Sequence, residues 1–435
     1  MGCCQYFTPG ENGADTFTVE MPRLTFGRGC LSELGERIKA RGVRRAALMT
    51  DRFLSGSQLL ERALRSLDGA GVDHGVFDET RIEPSDVSVM DACRFLSEGD
   101  FDGLVSLGGG SVMDTAKAAA VYARYPANFT TYFAPPIGEG VPVPGPVLPH
   151  IACPTTSGTG SEMTGLSVIR LMEHDTKYVL ASRFILPDEA LVDPACTETL
   201  PARVVASTGF DLLSHAIECY TARAYTHWDK IQAPNARPMI QGANPWSDLH
   251  AREALRIADE YFVRGVADSH DHEARDKLMW AATLAGMAFG NSGTHLPHAF
   301  SYGVTNLMHD VVTEDYPVPS PFVPHGISVI LTSPSVFRFT AEGAPQRHLE
   351  AAACLGADTK DATPADAGEV VATRIIKLMR ATQMPNGLQG VGFAASDANA
   401  LADAVMNQRR AIGNAPRETN RDDAAAIFKS AMSYW

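Results

Sequence analysis

Between residues 44 and 125 the chain runs three times through one pattern, a short apolar run followed by a longer amphipathic stretch. RRAALMTD (44–51) precedes SQLLERALRSLDGAG, DHGVFDET (73–80) precedes VSVMDACRFLSEG, and FDGLVSLGGG precedes SVMDTAKAAAVYARY. Short apolar runs bounded by turn residues predict strands, and apolar residues recurring at helical spacing predict the helices between them. Strands that alternate with helices assemble into a parallel sheet with helices on both faces. The pattern excludes an all-β sandwich and a helical bundle for this half of the chain.

Residues 134–149, APPIGEGVPVPGPVLP, hold too much Pro and Gly for a regular element and predict a loop. After LVDPACTETLPARVVAS (191–207) the strand signals nearly vanish. Helical spacing dominates in LHAREALRIADEYFVRGV, EARDKLMWAATLAGMAFGN, DAGEVVATRIIKLMRAT and DAAAIFKSAMSYW. The expected organisation is an α/β nucleotide-binding domain with a Rossmann-like parallel sheet over 1–195, then an all-α domain over 196–435. At 435 residues the chain has ample material for two such cores.

Composition excludes several partners. A formal charge of −14 argues against a nucleic-acid surface and against an anionic membrane. No run of 18 apolar residues occurs, so no membrane-spanning helix is expected. The first residues, MGCCQYFTPGENGADTF, lack a basic region and an apolar core, so neither a signal nor a transit peptide is expected there. Eight scattered cysteines without a CxxC suit a reducing cytoplasm, or a mitochondrion should the source be an animal.

LGGGSVMDTAK (107–117) closes a strand and opens a helix. Glycines let backbone approach a ligand, and a helix N-terminus offers free N–H groups and a positive dipole end, which together suit a pyrophosphate. A tight strand-to-helix turn is the alternative, since the run is not GxGxxG. Asp51 ends an earlier strand at the edge where open α/β sheets bind ligands, and a carboxylate there accepts from a ribose 2′-OH and repels a 2′-phosphate. That favours NAD over NADP. CPTTSGTGSEMT (153–164) adds small hydroxyl residues able to line a phosphate or nicotinamide pocket.

GFDLLSHAIECY (209–220) is almost wholly apolar, yet holds Asp211 and His215 four residues apart on one helical face. Such a pair can be a satisfied polar contact in a core; unpartnered burial of both is costly. AATLAGMAFGNSGTHLPHAFSYG reads as a helix carrying His295 and His298, with Pro297 between them, and PFVPHGISV adds His325. Asp211, His215, His298 and His325 make one carboxylate and three imidazoles, a set suited to a divalent transition metal such as iron or zinc. His270 and His272 in DSHDHEAR look metal-like, but a polar turn before a helix explains them by capping and solvation.

Together GGGSVMDTAK, PTTSGTGSE, Lys177, LVDP (191–194), GFDLLSHAIE, HAFSY and PHG resemble the iron-containing (group III) alcohol dehydrogenase family, collinearly from about residue 22 onward. The resemblance implies a dehydroquinate synthase-like fold, with a metal in the cleft between an α/β and a helical domain. It implies Asp211, His215, His298 and His325 as ligands, for Fe2+ first and Zn2+ second. It implies nucleotide contacts at Asp51, Gly108, Gly109, Gly110, Ser111, Asp114, Thr155, Thr156, Ser161 and Lys177, with NAD as cofactor. Many members carry a further His four residues after the helix ligand; that place is Tyr302 here, with His295 one turn earlier as the alternative proton relay. A homodimer or larger homo-oligomer is implied as well.

Two segments, 224–248 and 304–326, are longer than in simple alcohol-oxidising members, and unstructured loops of such length usually carry function. They, with RPMIQGANPWSD, FVPHGISVILTSP and RHLEAAACLGADT, look most like the hydroxyacid–oxoacid transhydrogenase subgroup. That likeness implies oxidation of 4-hydroxybutyrate coupled to reduction of 2-oxoglutarate. Carboxylated substrates call for a cation. Arg237, in the first long segment, is the candidate, with a plain surface role as its alternative. The competing activity is a NAD-dependent alcohol dehydrogenase or aldehyde reductase.

Overall fold

Among the described residues, eight strands carry the α/β part of the chain: β1 (Arg23–Phe26), β2 (Arg45–Asp51), β3 (Asp73–Thr80), β4 (Gly103–Gly108), β5 (His150–Pro154), β6 (Leu166–Leu171), β7 (Thr176–Ala181) and β8 (Glu189–Val192). Six pair in parallel in the order β1-β8-β5-β4-β2-β3. β6 and β7 form a separate antiparallel hairpin. The computed structural model describes residues 4–174, 176–316, 318 and 321–435.

Alternate residues of a strand face opposite ways, and the two faces of the central strands feed two separate cores. Ala47 and Met49 of β2 and Leu104 of β4 pack with Val89, Ala92, Val112 and Ala116, from helices α3 (Asp86–Glu98) and α4 (Gly110–Arg124). Ala46, Leu48, Val105 and Leu107 pack instead with Leu34, Ile38, Leu60 and Leu67, from α1 (Leu34–Lys39) and α2 (Gln58–Ala70). Helices thus cover both faces, as the alternation predicts. Ser57 caps α2 by accepting from Leu60 N–H, and Gly71 ends it in the left-handed region at φ 69°.

The helical part begins with α5 (Ala202–Thr221), α6 (Pro245–Ala267), α7 (His272–Ser292), α8 (Leu296–Asn306) and α9 (His325–Ile330), and further helices follow to Ser430. α5 is buried over nearly its whole length. Phe210 meets Phe262 of α6 edge-on at 4.9 Å, and Gly209 is needed because a Cβ would lie 2.1 Å from that ring. The stretch read from sequence as one helix through His295 and His298 is broken. Gly293, at φ 82°, ends α7, and α8 restarts with Pro297 in its first turn.

The chain divides into Glu20–Thr199 and Leu200–Trp435, the second joined by the segment ending at Val19. A boundary at 195 lies close to that division, but the N-terminal segment belongs with the helices rather than with the α/β part. Tyr6 donates to Asp248 Oδ2 at 2.8 Å and stacks on Tyr225 at 5.7 Å. Gly13 bridges to Asp229, and Thr18 N–H donates to Gln241 at 3.1 Å.

Candidate active site

In the α/β unit the C-terminal ends of β2, β4 and β5 bring Asp51, Gly108 and Thr155 to one edge of the sheet. Gly109 is the N-cap of α4 and supplies no side-chain cap for the N–H groups of the first turn, of which Val112 N–H alone takes a backbone acceptor among the described residues, Gly109 O at 3.0 Å. The three glycines differ in their work. A Cβ on Gly108 would lie 2.4 Å from Val112, and one on Gly110 would lie 2.8 Å from Thr159, so both serve close packing. On Gly109 a Cβ would meet only the Thr156 side chain, its methyl at 3.3 Å and its hydroxyl at 3.6 Å. The Thr156 hydroxyl beside it is buried without a hydrogen-bond partner among the described residues. Gly109 and Thr156 are therefore the part of the cradle that the fold itself does not use.

Asp51 Oδ1 accepts from Phe53 and Leu54 N–H at 2.9 and 3.1 Å; burial raises the carboxyl pKa and these bonds oppose the rise. Asp114 and Ser161 brace the cradle from behind. Ser161 Oγ donates to Asp114 at 2.7 Å, Val168 N–H donates to the other Asp114 oxygen at 2.9 Å, and buried Lys117 donates to Ser161 Oγ at 2.7 Å. Ser111 Oγ accepts from Glu83 N–H at 3.2 Å, and Lys177 pairs with Glu83 at 2.5 Å. Thr155 N–H donates to Gly108 O at 3.0 Å, which ties the β5 end to the glycine turn.

In the helical unit, three helices aim donors at one point. Asp211 Oδ1 of α5 lies 3.3 Å from His298 Nε2 of α8, 3.6 Å from His325 Nε2 of α9 and 3.8 Å from His215 Nε2. Tetrahedral ligands about 2.1 Å from an ion sit roughly 3.4 Å apart, so these spacings fit a metal. Ligand atoms of Asp211, His298 and His325 all fall within 4.8 Å of one another. Asp211 Oδ1 and His298 Nε2 are buried and take no hydrogen bond among the described residues, a costly arrangement that an ion would relieve. His215, outside that tightest trio, is held flat between Phe289 at 3.9 Å and His298 at 4.5 Å.

Local packing explains the convergence. α9 comes down on α5 so closely that a Cβ on Gly326 would lie 1.8 Å from Ser207 O, and this contact carries the adjacent His325 to the site. Burial opposes charge on Asp211, yet His215, His325 and His298 outweigh it and hold the carboxyl well below the usual range. Burial likewise opposes charge on His298, but Glu218 and Asp211 raise it to about 10.

Glu218 is the residue that sequence reasoning missed. Its Oε1 takes His298 Nδ1 at 2.6 Å, and its Oε2 accepts from His295 N–H at 2.7 Å. It therefore fixes the ring so that Nε2 faces Asp211, the usual outer support of a metal-binding histidine. Its position, seven residues after Asp211, puts both on one helical face; a glutamate there inside an apolar helix was the available signal.

His295 is the N-cap of α8, its Nδ1 accepts from Leu296 N–H at 2.8 Å, and its Nε2 meets Thr221 Oγ1 at 2.9 Å. It is fully buried, burial pushes its pKa well down, and it holds the turn that starts α8. Tyr302 is buried on α8, one turn after His298. Arg237 is half-buried and donates to Thr18 Oγ1 at 3.3 Å in the N-terminal segment. His270 is exposed in the turn before α7, whose cap is Asp271.

Comparison with known proteins agrees with this geometry. The family description "Iron-containing alcohol dehydrogenase" matches residues 22–194, and "Fe-containing alcohol dehydrogenase family, C-terminal" matches 239–432. A Pongo abelii protein named "Hydroxyacid-oxoacid transhydrogenase, mitochondrial" is 42% identical over 428 residues, 98% of this chain and 92% of the relative. A solved 1,3-propanediol oxidoreductase superposes with a TM-score of 0.83 at 28% identity, covering 96% of this chain and 100% of its own. Sulfoacetaldehyde reductase from Bifidobacterium kashiwanohense, solved with NAD+, gives 0.79 at 27% identity, covering 96% and 99%.

Proposed function

Because the chain belongs to the iron-containing alcohol dehydrogenase family, we propose that it moves hydride between a hydroxyacid and an oxoacid through bound NAD. Asp211, His215, His298 and His325 would hold a divalent ion, Fe2+ before Zn2+. The specific pair is 4-hydroxybutyrate as donor and 2-oxoglutarate as acceptor. The observation that carries this reading is the buried convergence of Asp211 Oδ1 and His298 Nε2, with His325, on one unsatisfied point. The identity to proteins named as hydroxyacid–oxoacid transhydrogenases supports the choice among family activities.

When bound, the metal supplies Lewis acidity toward a substrate oxygen and NAD carries the hydride. The chain's own residues do the positioning. Glu218 locks the His298 ring, Phe289 holds the His215 ring, and the Gly326 contact seats His325. Gly109 and Thr156 give the pyrophosphate a close approach at the start of α4, and Asp51 selects NAD by taking the ribose hydroxyls. A homo-oligomer follows from the family likeness and is read by light scattering. The relative is named as mitochondrial, and the compartment of this chain is read by cell fractionation.

The test is isotopic. Deuterium at C4 of 4-hydroxybutyrate should reach C2 of 2-hydroxyglutarate with little dilution by excess unlabelled NADH. Full dilution by that pool would replace this reading with an ordinary alcohol dehydrogenase or aldehyde reductase that exchanges cofactor each cycle.

A further inference from the structure

α5 carries Arg203, Ser207, Asp211 and His215 at steps of four residues, one stripe along the helix. Each step advances about 6 Å. The last two members belong to the metal cluster; the first two have no part in it. Ser207 is buried at the point where Gly326 touches α5. Tyr316 comes to the same point from the long segment between α8 and α9. That segment doubles back on itself, with Phe322 N–H donating to Val311 O at 3.1 Å and Thr313 Oγ1 donating to Phe322 O at 2.8 Å. The Tyr316 ring packs on Phe322 at 5.4 Å, and its hydroxyl lies beside Ser207, within electrostatic reach of both Asp211 and Arg203. Arg203 is half-buried and donates to Gln383 O at 2.7 Å, and among the described residues no carboxylate pairs with it.

We propose that Arg203, Ser207 and Tyr316 form the subsite for a substrate carboxylate, one to two helical turns along α5 from the metal cluster. This rests on the hydroxyacid–oxoacid reading and gives that reading its specificity. Two hydroxyls beside a guanidinium that pairs with no carboxylate among the described residues make a donor set suited to a carboxylate. Close to the ion a neutral phenol is the better donor, because a second cation there would oppose metal binding. The guanidinium stands further off, where its charge adds attraction for the carboxylate.

Both substrates present the same span. In 4-hydroxybutyrate the reacting oxygen and the carboxyl carbon are four bonds apart, about 5 Å at ordinary bond lengths of about 1.5 Å. In 2-oxoglutarate the keto oxygen and the distal carboxyl carbon are also four bonds apart. One subsite beside one metal therefore accepts either partner in turn. It also displaces Arg237, whose guanidinium is turned to Thr18.

The test uses the full metal-loaded chain and succinate, whose carboxylate oxygen and far carboxyl carbon share the four-bond spacing. Titration calorimetry with Tyr316→Phe and with Arg203→Gln should each show at least a tenfold rise in the succinate Kd. Metal content should stay at the wild-type level, and Arg203→Lys should recover part of the loss. In parallel, the ratio of kcat/KM for 4-hydroxybutyrate over butan-1-ol should fall about tenfold in each variant. Unchanged succinate affinity in both variants, or equal losses with acid and alcohol, would overturn the subsite. So would loss of metal in both. Should succinate binding depend on these residues while no label passes to 2-oxoglutarate, the subsite stands and the transhydrogenase reading fails.

Discussion

In the proposed metal site, Glu218 shows how much rests on a residue that is not a ligand. Asp211→Ala and His298→Ala each remove a proposed donor, so both should lose metal and activity while keeping the circular dichroism of the wild type. Glu218→Gln keeps the shape but removes the charge that holds His298 Nδ1 at 2.6 Å. Outer-shell changes of this kind weaken metal affinity by about 10–100-fold, which competition with a chelator would measure; affinity equal to wild type would deny Glu218 that role. At the other end of the chemistry, Asp51→Asn leaves an oxygen for the Phe53 and Leu54 N–H groups and removes only the charge. Its NAD-to-NADP preference should narrow about tenfold in kcat/KM, and an unaltered ratio would take Asp51 away from the ribose. Asp211 and His215 were legible in the sequence because charge inside an apolar helix demands a partner. The bonds of His295 were not legible, because Thr221 and Glu218 are brought to it only by folding.

The elements were legible wherever periodicity was strong. Expected strands at 44–51 and 73–80 are observed as Arg45–Asp51 and Asp73–Thr80, and the helices after them agree to within a residue or two. β1, β5 and β8 escaped notice because they are four or five residues long, too short for a period to show. The break between α7 and α8 escaped because apolar spacing continues across it, while the deciding feature is the positive φ of Gly293. The glycine cradle allows a test of what each element-forming residue does. Gly108→Ala sets a methyl 2.4 Å from Val112 in the first turn of α4, and overpacking of that kind costs about 1–3 kcal/mol. Gly109→Ala meets only the Thr156 side chain, no closer than 3.3 Å. Calorimetric melting should therefore show a clear drop in Tm for Gly108→Ala and little for Gly109→Ala. NAD affinity should show a marked loss for Gly109→Ala, and a matched Tm loss in both variants would mean that Gly109 too is only a packing residue.

At the scale of the whole chain, the segment ending at Val19 is the part least readable from sequence. It has no periodicity of its own and is held by Tyr6, Gly13 and Thr18 through contacts more than two hundred residues away. Acid sensitivity is also distributed over the molecule. His150 on β5 is buried against Ser106 Oγ at 2.8 Å, and burial, aided by Lys117, pushes its pKa down to about 3. His348, beyond α9, lies between Thr340 Oγ1 and Ala344 O, both at 2.9 Å, and burial takes it down to about 4 against the opposing backbone bond. An unfolded histidine titrates near 6.5. Below that pH the unfolded chain takes up protons that the folded chain refuses, so each histidine's stabilising contribution is complete above about 6.5 and is lost as pH falls toward the folded value. The loss is about 1.4 kcal/mol per pH unit and per group. One of the two lies in the α/β unit and the other in the helical unit, so both units should weaken together in mild acid. Gln at either position keeps a hydrogen-bonding end group but cannot take up a proton. Thermal melts between pH 7 and pH 5 should then show a shallower fall in Tm for His150→Gln and for His348→Gln than for the wild type; parallel curves would mean that the acid sensitivity comes from other groups.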